Sequence, residues 1–81
     1  MVKEKWQISE EGYSQLDDFR AREMVVGIGR GNALYVDILL VLSETGKSLT
    51  SSSIAKRLGE DVSLIDPWLE TMFNEGLVSA S

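Results

Sequence analysis

Glu10-Glu11 and Asp17-Asp18 are adjacent carboxylates, the residue type that holds divalent metals or exchanges protons in acid–base catalysis. Neighbouring helical positions diverge by about 100°, so neither pair converges on one ion or one substrate atom. Both read as a solvated face. The stretch "GIGRGN", 27–32, suggests a phosphate cradle, because glycines let backbone N–H groups approach an anion at a helix start. It lacks both the GxGxxG spacing and the Walker lysine, and reads as a hinge between helices. "SLTSSS", 48–53, offers hydroxyls, but the chain has no His to serve as base. It has no Cys either, which removes thiol catalysis and zinc sites of the usual kind. No catalytic set and no cofactor are expected, and the chain reads as a non-enzyme.

Charge narrows the choice of partner. Eight basic and 13 acidic residues leave a formal −5 over 81 residues. That works against non-specific nucleic-acid binding, which depends on neutralising phosphates. The bases concentrate early, at Lys3, Lys5, Arg20, Arg22 and Arg30. In segment 49–78, Lys56 and Arg57 stand against Glu60, Asp61, Asp66, Glu70 and Glu75, a balance of −3. The opening "MVKEKWQISEE" is too charged for a signal-peptide core. The longest apolar run, "ALYVDILLVL", is too short to span a bilayer and contains Asp37. No membrane association and a cytoplasmic location are expected.

The elements that must position these groups follow from periodicity. In "VKEKWQI", 2–8, Val2, Glu4, Trp6 and Ile8 alternate with Lys3, Lys5 and Gln7, which reads as a short strand with Trp6 and Ile8 inward. Ser9 caps a helix over 10–24, with Glu10 and Glu11 at the favoured end of its dipole and Tyr13, Leu16 and Phe19 recurring every three residues. After the glycine hinge, Asn32 is placed to cap a helix over 33–43. That helix is apolar on nearly all sides, so it should be the central, most buried element. "SETGKSL" reads as a turn, with Leu49 suited to a one- or two-residue bridge. Thr50 caps helix 51–58, Ile54, Ala55 and Leu58 point inward, and Gly59 ends it. A last helix covers about 63–75, with Ile65, Leu69, Met72 and Phe73 on its apolar side. Pro67 lacks an N–H and belongs in a first turn, with Ser63 or Asp66 as the cap. Gly76 stops this helix, and "LVSAS" leaves as a strand. The fold class is α+β, mostly α: about four helices with a small two- or three-stranded antiparallel sheet in one domain.

This order of elements resembles the winged helix-turn-helix regulators of the MarR and PadR types. The matching residues are Leu49-Thr50, Ile54-Ala55, Leu58-Gly59, Ile65, Leu69, Met72 and Gly76-Leu77-Val78. The likeness covers about 33–78 and rests on core positions and turn glycines, so it bears on fold more than on function. Such domains continue after "GLV" into a two-stranded wing and a helix, whereas this chain ends at Ser81. "KWQISEEGYSQLDDF" resembles the missing wing strand and the helix that follows it. The resemblance therefore implies a permuted arrangement, with the N-terminal strand beside 77–80 and helix 10–24 against helix 33–43.

Two functions from different classes follow. The resemblance implies a cytoplasmic, dimeric, DNA-binding transcriptional regulator. Lys56, Arg57, Ser52 and Ser63 would then contact phosphate, with Lys3 and Lys5 lying along the backbone as wing contacts. Scattered lysines on an edge strand are equally ordinary protection against aggregation. The alternative is an acidic winged-helix module that contacts another protein through Trp68 and Pro67. A partly exposed Trp beside a Pro among acids is the composition of a contact hot spot. Trp68 also fits an edge-of-core position covered by the N-terminal strand, and the residues leave both readings open.

Overall fold

The computed structural model describes residues 4–22 and 33–81. The glycine segment, Lys3, Arg30 and Asn32 lie outside the described residues. The chain is α+β and mostly α. Strand β1 (Trp6–Ile8) leads into α1 (Glu10–Ala21), followed by α2 (Leu34–Thr45), α3 (Ser51–Leu58), α4 (Val62–Asn74) and β2 (Val78–Ala80). The two strands form an antiparallel pair with Trp6 opposite Ala80, Gln7 opposite Ser79 and Ile8 opposite Val78. Trp6 also exchanges two backbone hydrogen bonds of 2.8 Å with Leu49, so β1 is held on both edges. The expected strand over 2–8 is thus shorter. Glu4 has the parity of the buried face but lies beyond the strand, and it is exposed.

Helix α2 is the centre. Val36 through Leu42 are all buried, because α1, α3, α4 and β1 pack around it. A helix apolar on every side has no face to give to water. It runs two residues past the expected end, to Thr45, where Gly46 makes the left-handed stop and donates its N–H to the Leu42 carbonyl; the Ser43 and Thr45 hydroxyls add bonds to the carbonyls of Leu40 and Leu42. Ala33, not Asn32, occupies its cap position. Helix α3 matches its expected bounds. The Thr50 hydroxyl accepts from the Ser53 N–H, and Gly59 takes the C-cap.

Helix α1 differs in the face it buries. Gly12 and Leu16 are its buried residues, while Tyr13 is exposed. Gly12 allows this. A β-carbon there would overlap the carbonyl oxygen of Leu77 and come within 2.7 Å of Ile8 Cγ1. The missing side chain lets α1 press onto the strand pair and rotates Tyr13 outward. The Ser9 hydroxyl accepts from the Gly12 N–H and donates to the Gly76 carbonyl, fixing both chain segments at that contact. No helix among the described residues is long and apolar enough to cross a membrane.

Candidate functional site

The last helix begins at Val62, one residue before the expected start, and on a different cap. Asp61, rather than Ser63 or Asp66, is the N-cap: its Oδ1 accepts from both the N–H and the hydroxyl of Ser63, each at 3.0 Å. These two bonds hold the Asp61 carboxyl below its ordinary value of 3.8. Helix α3 stops at Gly59, and only Glu60 separates that stop from the new cap, so the early start follows from the short turn.

The early start moves Pro67 out of the first turn and into the helix interior. In an α-helix each N–H donates to the carbonyl four residues back, so Pro67 leaves the Ser63 carbonyl without its helical donor. An interior proline costs about 3 kcal/mol relative to alanine. Pro67 is exposed, so no core packing offsets that cost. A local rule broken at a surface position marks a candidate functional site.

What surrounds Pro67 strengthens that inference. Ile65, Leu69 and Met72 point into the core. Leu64, Pro67, Trp68 and Thr71 form a second stripe at i, i+3, i+4 and i+7, and they line an open groove of about 300 Å³. Leu64 is 46% exposed and Trp68 37%. A second hollow, about 260 Å³, shares Trp68 and Thr71 and extends to Tyr35 on α2, Gln15 on α1 and Glu75. The two hollows adjoin at Trp68 and Thr71, one on the outer face of α4 and the other toward the first two helices.

Trp68 is not covered by the N-terminal strand. Its ring stacks on Tyr35 at 5.9 Å with an interplanar angle of 27°, and Tyr35 meets Phe19 edge-on at 6.0 Å. The strand's own aromatic, Trp6, packs edge-on against Phe73 instead. Sequence reasoning missed Tyr35, because it sits in an apolar run that reads as uniform core. The groove thus has a braced aromatic wall. Its ends are acidic: Glu60 and Asp61 precede the stripe, Glu75 closes it, and Asp66 and Glu70 lie on the same helix. Residues 58–78 of the sequence contain no Lys or Arg.

The residues expected to touch nucleic acid are dispersed. Lys56 and Arg57 are exposed in the last turn of α3, where the helix dipole favours cations whether or not a ligand is present. Ser52 is exposed one turn before Lys56 on the same face. Ser63 is exposed too, but its hydroxyl and N–H both serve the Asp61 cap. The anion position at the start of α4 is therefore filled by the chain's own carboxylate. Lys5 is exposed ahead of β1 and exchanges backbone hydrogen bonds with Ser81. Lys3 lies outside the described residues. Among the described residues no group of three or more His, Cys, Asp or Glu is placed to hold a metal ion.

Comparison with protein-family models, with curated proteins and with solved structures gives no match.

Proposed function

We propose that this chain is an acidic winged-helix-like module that binds another protein through α4 and does not read DNA bases with that helix. One observation carries the reading: the outer face of α4 presents an apolar groove with an exposed, braced tryptophan, and every ionisable side chain on the helix is acidic. Trp is among the residues enriched at contact hot spots. A base-reading helix commonly uses Arg or Lys for guanine and for phosphate, and α4 carries neither residue. Pro67 fits the same reading, since it costs helix stability at a position that lines the groove.

A DNA-binding regulator is the second reading. It is favoured by the neutral Thr50 cap at the start of α3, with Ser52 and Lys56 exposed on one face beyond it. Titration of labelled mixed-sequence duplex DNA separates the two. The protein-contact reading expects no binding tighter than about 10⁻⁴ M at physiological salt, the weak end of the non-specific range. Micromolar or tighter binding that disappears in the Lys56→Glu, Arg57→Glu double variant and survives Trp68→Ala would establish the DNA reading in its place.

A further inference from the structure

We infer that the groove along α4 is a docking site for a cationic amphipathic helix of a partner protein, a conclusion that rests on the protein-contact reading above. The shape of the groove selects the class. Leu64, Pro67, Trp68 and Thr71 cover two turns of α4, about 10 Å of its length, and a second hollow beside them lies between α4 and Tyr35. An open groove with apolar residues at helical spacing suits an amphipathic helix laid into it. A small ligand would instead need an enclosed pocket that covers most of its surface.

Charge selects the sign. Glu60 and Asp61 stand at one end of the stripe and Glu75 at the other, and no base lies between Leu58 and Val78. A partner helix whose apolar stripe is flanked by Lys or Arg meets these acids at both ends of the groove. A second copy of this chain would bring the same acids against them, and like charges across an interface cost binding energy. Nucleic acid meets the same repulsion through its phosphates.

The test uses the full chain and three synthetic, helix-forming 14-residue peptides with one shared Leu/Phe stripe. Their flanking positions are Lys/Arg, Gln or Glu. Binding is read by fluorescence anisotropy, and the mass of the chain alone by sedimentation. The cationic peptide is expected to bind one-to-one, at least about tenfold tighter than the Gln peptide, with the Glu peptide weakest. Raising salt from 50 to 500 mM should narrow that gap, because exposed charges are then screened. Trp68→Ala should weaken binding on the order of thirtyfold, the hot-spot threshold. Leu64→Lys changes an exposed residue without touching the core, so it should also abolish binding, with an unchanged circular dichroism spectrum. Glu60→Gln with Glu75→Gln should remove most of the preference for the cationic peptide. Lys56→Gln with Arg57→Gln should leave binding unaltered.

Equal binding of all three peptides, lost in Leu64→Lys, would overturn the cationic partner and leave protein contact standing. Binding of none of them overturns both. A concentration-dependent dimer that Leu64→Lys dissociates would assign the groove to a second copy and overturn the inference.

Discussion

Replacing Gly12 by Ala should destabilise this protein, although the same change on an open helix surface stabilises. Alanine is the better helix former by about 1 kcal/mol, so local propensity favours the variant. Tertiary packing opposes it. The new methyl would overlap the Leu77 carbonyl oxygen, approach Ile8 Cγ1 to 2.7 Å and Leu39 Cδ2 to 3.2 Å. The Ile8 and Leu39 side chains can yield; the Leu77 oxygen is backbone, tied by a 3.1 Å bond from the Ser9 N–H. Relief therefore requires α1 to lift from the strand pair. Overpacking of this kind costs about 1–3 kcal/mol, and weakening the Ser9–Leu77 bond adds about 1 kcal/mol. With the propensity gain subtracted, the net loss is about 1–3 kcal/mol. At about 4–8 °C per kcal/mol for a domain this size, thermal unfolding followed at 222 nm should show Tm lower by roughly 5–20 °C. Ser14→Ala, on the exposed side of the same helix, is the control and should stay within about 0.5 kcal/mol of the parent. A Gly12→Ala protein as stable as the parent, or more so, would show that α1 does not sit against Leu77 as closely as described.

Pro67→Ala should raise stability by up to about 3 kcal/mol while weakening partner binding, since it restores a donor to Ser63 and removes part of the groove. A variant that is no more stable would place Pro67 outside the helix interior. Leu39→Ala and Leu42→Ala, both fully buried in α2, should each cost about 2–5 kcal/mol in urea unfolding; a loss under 1 kcal/mol at both would contradict the central position of that helix. Asp61 gives a pH signature. Its folded-state pKa lies below the ordinary 3.8, so its contribution is complete above 3.8 and is lost as pH falls through the lower folded value. Asp61→Asn keeps the cap acceptor without the titration, so the Tm advantage of the parent should shrink below pH 3.8; an advantage constant from pH 6 to pH 2 would refute the assignment.

Where neighbours in the chain decide the outcome, the sequence suffices. Thr50 and Gly59 bound α3 as expected, because capping is settled within four residues. The burial of α2 is legible because Val36 to Leu42 are apolar around the whole helix apart from Asp37, leaving one placement. Alternation marks the first strand, but its antiparallel partner, β2, is expected only from the winged-helix resemblance. The candidate site was only partly legible. Trp68 and Pro67 stand out by residue type, and the acidic character of the last helix can be counted. The cap at Asp61 competes with Ser63 and Asp66 as equally good local signals, and only the three-dimensional turn after Gly59 selects it. That selection moves Pro67 into the helix interior. The outward rotation of Tyr13 depends on how near α1 comes to Leu77, 65 positions away in the chain, where a glycine meets a backbone oxygen. The Tyr35–Trp68 stack joins residues 33 positions apart, and one-dimensional periodicity carries no information about which aromatic rings meet. Local hydrogen bonding and apolar spacing set the elements. The groove exists only because packing three helices together left one side of Trp68 supported and its surroundings open.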